Sequence, residues 1–199
     1  MIKRELVPNA FLAKRPEVLR KRLVLRRSSN DRSANVYTLP VPASAIMAFG
    51  ARGVSPAHQG NLRNSIDFYV PEGTPVLAAA GGVVFATRDD SNVHGISTRY
   101  WDLGNWIDIK HSRNEYTWYE HLAYKKIRVR AGQHVKKGQV IALSGNTGFT
   151  KNPHLHFQVN RYFGTGLDDY VTLRARFEKR FGFVQKVYAG ARRAGITGN

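Results

Sequence analysis

Between Ile66 and Val159 the chain breaks into short β-rich runs at near-regular spacing, most of them bounded by glycine or proline turns, and no long amphipathic helical period interrupts them. That pattern points to an antiparallel β architecture. Ile66-Asp67-Phe68-Tyr69-Val70 meets the turn Pro71-Glu72-Gly73-Thr74, and Pro75 to Ala79 leads through Gly81-Gly82 into Val83 to Ala86. Further strands fit Asn105 to Lys110, Tyr116 to His121, Ile127 to Val129, Gln139 to Leu143 and His154 to Val159. Pro71 to Val84 also echoes Arg130 to Val140, each unit placing a glycine in a tight turn before a buried strand, where positive φ is needed; the spacing fits two related hairpin units or two ordinary glycine turns. The expected fold is mainly β: an antiparallel core of two facing hairpin units, with short helical or irregular basic extensions at both ends.

Charge divides the chain in three. Residues 1–33 hold ten basic and three acidic side chains, residues 34–160 thirteen and eight, and residues 161–199 eight and three, within a net charge of +17. We therefore expect a basic N-terminal extension (1–33), a β domain (34–160) and a basic C-terminal extension (161–199). Arg20-Lys21-Arg22 and Arg26-Arg27 fit a short helix or an edge strand. A helix is expected from Asp168 to Arg180, where acidic residues open the segment and Lys179-Arg180 close it, complementing a helix dipole. A 42% hydrophobic content suffices for a buried core and argues against disorder of the whole chain. The charge implies an anionic partner, such as a cell-surface polymer, and no nucleic-acid motif accompanies it. No apolar run approaches the ~18 residues of a membrane span, and no signal peptide is visible in the chain.

With no cysteine, a transition metal must rest on His, Asp or Glu. His154 and His156 stand at i and i+2, so in a strand both imidazoles project from one face, ~7 Å apart. Leu155, Phe157 and Val159 take the other face, which leaves the histidine face to a cleft or to solvent. Alone, the pair fits a metal site or a surface strand with two unrelated histidines. Asp67 puts a carboxylate into an otherwise apolar run, which also suits a strand-end turn. His58 lies nine residues earlier in a polar segment, and His121 ends the aromatic run Trp118-Tyr119-Glu120. A catalytic zinc site needs three protein ligands and an open fourth position, and this set can supply them with histidines to spare for proton handling.

These residues carry a family resemblance. His58, Asn64-Ser65-Ile66-Asp67-Phe68, Pro71 to Ala79 and Gly82-Val83-Val84 are followed by Asn105 to His111, Tyr119-Glu120-His121-Leu122 and Val135 to Gln139. The series closes on Ser144-Gly145-Asn146-Thr147-Gly148 and Pro153-His154-Leu155-His156-Phe157. In this order, over roughly residues 55–160, the chain resembles the lysostaphin-type (LytM-like) zinc metalloendopeptidases that cut peptidoglycan. The resemblance implies one Zn2+ held by His58, Asp67 and His156, with His154 and His121 as the catalytic pair. It also implies a groove-lining place for Tyr119, a structural or second-shell place for His111, a peptidoglycan peptide as substrate and an extracytoplasmic workplace. Family members often space the first His and the Asp as H-x-x-x-D, and here the gap is nine; Asn61 and Asn64 are lesser oxygen donors nearby. No Glu stands where HExxH proteases keep their general base, so histidine must move the proton.

Two other readings compete. A non-catalytic binder of cell wall or another anionic polymer would use the charge alone. A biotinyl- or lipoyl-like carrier module is suggested by Gly132 to Val140, but it needs a lysine at a hairpin tip between small or acidic flanks, which the segment lacks, and it leaves the histidines unexplained.

Overall fold

The structure, a computed structural model, describes residues 31–50, 57–163 and 169–184. Its strands are β1 (Arg32–Tyr37), β2 (Ala48–Gly50), β3 (Ile66–Tyr69), β4 (Pro75–Leu77), β5 (Gly82–Arg88), β6 (His94–Gly95), β7 (Trp106–Lys110), β8 (Tyr116–Glu120), β9 (His134–Val135), β10 (Val140–Leu143), β11 (Gly148–Phe149), β12 (Leu155–Tyr162) and β13 (Tyr170–Phe177). One sheet runs β1-β13-β12-β8-β7-β5-β9 and is extended by β3 and β2. Strand β12 is its hub. Along one edge it takes β3 at Leu155 to Phe157 and β13 at Val159 to Tyr162, and along the other it takes β8.

Alternation along β12 separates two faces. Leu155, Phe157 and Val159 pack with Ile66, Phe68, Ile107, Ile109 and Tyr119 in the core, each large apolar side chain contributing roughly 1.5–3 kcal/mol by leaving water. His156, Gln158 and Asn160 face the other way and are buried too. The site is built on that polar face.

The two echoing units pair with each other. Strand β4 of the first unit pairs with β10 of the second, and β9 of the second pairs with β5 of the first. Their main-chain bonds repeat: Ala78 N–H donates to Gln139 O and Gly138 N–H to Ala78 O, while Val84 N–H donates to Gln133 O and Gly132 N–H to Val84 O. Gly132 and Gly138 turn at φ of 80° and 81°, a region that costs other residues steric strain. Gly82 has a different reason to be glycine, since a Cβ there would collide with the Lys110 carbonyl.

The helix expected from Asp168 to Arg180 does not form. Tyr170–Phe177 is a strand between β12 and β1, with a single 3-10 turn following at Lys179–Phe181. Leu173, Ala175 and Phe177 are buried at a period of two, and this pairing on both edges outweighs the charges at the segment's ends. The sheet thus draws in residues on both sides of 34–160. Ile127 to Val129 is not a strand either; Arg128 N–H donates to Ile141 O from an irregular segment. The basic run Arg20 to Arg27 and the tail from Lys186 lie outside the described residues. Among the described residues no helix is long and apolar enough to cross a membrane.

Candidate metal centre and active site

Strand register brings two of the expected ligands together. His156 on β12 pairs with Asp67 on β3, and both leave their strands on the polar face. His58 reaches the same point from the loop before a 3-10 turn (Gly60–Leu62). His58 Nε2 lies 3.0 Å and His156 Nδ1 2.9 Å from Asp67 Oδ1. The three ligand atoms lie within 4.8 Å of one another, and all three residues are buried. The nine-residue gap between His58 and Asp67 is spanned by a loop and a 3-10 turn, so sequence spacing carries little of this geometry.

Burial opposes charge on Asp67, yet hydrogen bonds from His156 and His58 overcome it and hold the carboxyl well below the usual range. Burial likewise pushes His156 down, but Asp67 prevails and its pKa is pushed up to about 9. Two imidazole nitrogens and one anionic oxygen thus converge on a single point. This is the donor chemistry of a zinc site with three protein ligands, and the residues fit that ion. His156 is also oriented from behind: its Nε2 lies 3.0 Å from Gln158 Oε1, which Ser65 Oγ holds at 2.9 Å.

His121 and His154 form the rim, their ring centroids 4.5 Å apart. His121 Nδ1 is 2.7 Å from Thr147 O, and His154 Nδ1 is 2.8 Å from Asn152 O. A carbonyl only accepts, so each Nδ1 carries the proton and each Nε2 keeps its lone pair. The Nε2 of His154 lies 3.7 Å from Asp67 Oδ1. Burial, reinforced by His154 and His156, lowers the pKa of His121 to about 3. Burial also lowers that of His154, against the pull of Asp67. Both imidazoles are therefore neutral near pH 7 and competent to accept a proton. His121 holds φ at 64°, a conformation that costs a non-glycine residue of order 1 kcal/mol and clusters at functional sites. Asn105 supports it: its carbonyl accepts from Leu122 N–H, and its side-chain amide donates to Leu122 O and Ser91 O.

Two expected site residues belong elsewhere. Tyr119 does not line a groove. It is fully buried on the core face of β8, one residue out of phase with Glu120, and its hydroxyl takes the Ala79 N–H at 2.8 Å. Of the two places expected for His111, structural or second-shell, it takes the structural one. Its Nδ1 lies 2.8 Å from Gly81 O and its Nε2 2.7 Å from Thr117 Oγ1, so it ties the Gly81 turn to β8, which is a structural role. Asn64 donates its side-chain amide to Thr172 O instead of facing the metal centre. Sequence reasoning passed over Gln158, Tyr69, whose ring lies 5.5 Å from that of His154, and the carbonyls of Thr147 and Asn152. For Gln158 a signal existed, since it follows His156 at the same period of two that linked the histidines. The carbonyls left none, because any residue type supplies one.

The model of peptidase family M23 matches residues 61–168, more than half of the chain. An uncharacterized metalloprotease of Haemophilus influenzae is 42% identical over 101 residues, which cover 50% of this chain and 19% of that protein. Peptidoglycan DD-endopeptidase ShyA of Vibrio cholerae is 42% identical over 96 residues, covering 48% and 20%. Lysostaphin of Staphylococcus simulans is 36% identical over 113 residues, covering 55% and 21%. The chain thus spans about a fifth of the length of these curated relatives. Among solved structures, a zinc-containing peptidase from Vibrio cholerae aligns at a TM-score of 0.48 with 32% identity, covering 71% of this chain and 38% of that one. Because the match to the family model covers more than half of its residues, the chain belongs to peptidase family M23.

Proposed function

We propose that this protein is a zinc-dependent endopeptidase that hydrolyses peptide bonds in the cross-bridges or stem peptides of peptidoglycan, with water as the nucleophile. The observation that carries the reading is the convergence of His58 Nε2, Asp67 Oδ1 and His156 Nδ1 beside two imidazoles whose Nε2 atoms are unprotonated. His58, Asp67 and His156 would hold the ion. When bound, zinc supplies a Lewis acid for the carbonyl and brings the pKa of water toward ~7. One of His154 and His121 takes the proton of the attacking water at Nε2 and returns it to the leaving amine, while the other presents a second Nε2 lone pair to the site. Anchoring of both Nδ1–H groups on main-chain carbonyls fixes the tautomers this requires.

Residues 34–160 would carry this machinery on the extracytoplasmic side, with the basic flanks attracted to anionic wall polymers. The names of the relatives, peptidoglycan DD-endopeptidase and lysostaphin, support that substrate class. The test is incubation of the whole chain with peptidoglycan, with chelator and with zinc added back, beside His156→Ala and His154→Ala. Zinc-restorable release of free amines, lost in both variants, is expected. Salt-sensitive wall binding that survives chelation, with no release under any condition, would replace the enzyme with a binding protein.

A further inference from the structure

The row of the sheet that holds the metal ligands continues past them. Across β3, β12, β8 and β7, Asp67 pairs with His156, His156 with Glu120, and Glu120 with Trp106, all on the polar face. At ~4.8 Å per strand, Glu120 stands one strand from His156 and Trp106 two strands, about 10 Å along the floor. Glu120 is half-buried. Its Oε2 accepts from Trp118 Nε1 at 3.1 Å, and Trp118 stacks on Trp106 with centroids 4.3 Å apart and planes at 21°. Gly104 backs the other oxygen closely, since a Cβ there would come within 2.5 Å of Oε1.

Among the described residues no cation pairs with Glu120. Arg88, which follows Trp106 in the same row, is committed to Asp90 Oδ1 at 2.7 Å and to the Asp102 carbonyl. In a chain with 31 Lys and Arg against 14 Asp and Glu, a carboxylate held partly out of water beside the reactive centre, without a lysine or arginine of its own, is a place for a cation from outside. The two indoles favour a cation and can carry its methylene arm. Only one oxygen is free, so a bidentate guanidinium is not matched, whereas a compact ammonium is.

We propose that Glu120, with the indoles of Trp118 and Trp106, is a subsite for a primary ammonium group of the peptide substrate, bound on the polar face of the sheet beside the metal centre. The inference rests on the peptidase reading and adds the charge of the substrate to it.

Two measurements separate the failure of the one from the failure of the other. In the first, the zinc-loaded full chain cleaves peptidoglycan whose free amines are intact or have been acetylated. Acetylation is expected to raise the wild-type KM about tenfold with little change in kcat, the scale of one desolvated charge contact. Glu120→Gln is expected to lose the discrimination between the two substrates. Equal KM values for both in the wild type would overturn the subsite and leave the peptidase standing. In the second, tryptophan fluorescence is titrated with Nα-acetyl-lysine amide and with its Nε-acetylated form, which needs no hydrolysis. Saturable quenching by the free amine alone, lost in Glu120→Gln, supports the subsite even if peptidoglycan is not cut. Identical responses to the two probes overturn it.

Discussion

Glu115 and Asp67 are both carboxylates sealed inside this protein, and their surroundings differ in kind. Glu115 accepts from the main chain of Ala34 and Asn35, from the Asn35 side chain, from the Tyr37 hydroxyl and from Arg161, at 2.6–3.3 Å. All are fixed donors, and most come from β1, which lies outside the matched stretch 61–168. Glu115 thus fastens the edge of the sheet with protein groups alone. Asp67 is met by His58, His156 and, farther off, His154. An imidazole serves either as an N–H donor or as a lone-pair ligand, so the same side chains that satisfy the carboxylate can turn with it toward a cation. The difference teaches which buried charge is structural and which is poised for chemistry: fixed donors mark the first, convertible ones the second.

Replacing each carboxylate tests this contrast. Asp67→Asn keeps the shape and removes the charge; zinc content after dialysis is expected to collapse, and amine release from peptidoglycan to fall by at least about 10³-fold. Glu115→Ala is expected to do the reverse. It strands buried donors and should cost ~3–5 kcal/mol in denaturant unfolding, with zinc stoichiometry unchanged while the protein is folded. Loss of zinc by folded Glu115→Ala would break the comparison.

The two regions were also unequally legible in the sequence. His154 and His156 at a period of two and Asp67 within an apolar run mark a candidate site, but alone they fit a surface strand and a turn as well; it is the family resemblance that singles out His58, Asp67 and His156. Tyr119 obeys that same period and lands in the core, since it is out of phase with Glu120. The β1–β13 edge was not legible. Parallel pairing between residues 142 apart, such as Arg32 and Arg174, leaves no local trace, and the charge pattern of 168–180 suits a helix until β12 and β1 offer it partners. Glu115 gave no warning either, because four of its five donors lie 78–81 residues earlier in the chain.

Asp108 lies between the two cases. It is fully buried, Tyr162 donates to its Oδ2 at 3.0 Å, and its Oδ1 has no partner among the described residues. Burial pushes its pKa up to about 7, against the pull of Tyr162. The unfolded chain releases this proton near ~3.9 while the folded protein keeps it. The resulting stability is present below the unfolded value and is lost as pH rises toward about 7. Asp108 should therefore contribute to urea unfolding of the wild type a loss of about 1.4 kcal/mol per pH unit across that window, a slope read as the difference from a variant because His121, with its pKa lowered to about 3, contributes the opposite one. Asp108→Asn, which keeps an acceptor for Tyr162, is expected to flatten that slope; an unchanged slope would assign it to other groups.

The smallest effect tests how tightly the convertible site is packed. Gly50 pairs with Asp67 from β2, and a Cβ there would stand 3.0 Å from Asp67 Oδ2 and 3.3 Å from the Tyr69 ring. Oδ1 is the oxygen that meets the histidines, so pressure on Oδ2 would rotate the carboxylate about its own bond and move Oδ1 off the shared point. The strand pairing itself loses nothing, because alanine suits an extended backbone. Gly50→Ala should therefore leave thermal stability within ~1 kcal/mol, yet weaken zinc roughly tenfold in a chelator competition, the scale of a disturbed supporting shell. Glu115 has no such sensitivity, since its five contacts come from several directions and tolerate a shift in any one. Unchanged zinc affinity in Gly50→Ala would mean that Asp67 has room to move, and that the histidines alone set the geometry of the centre.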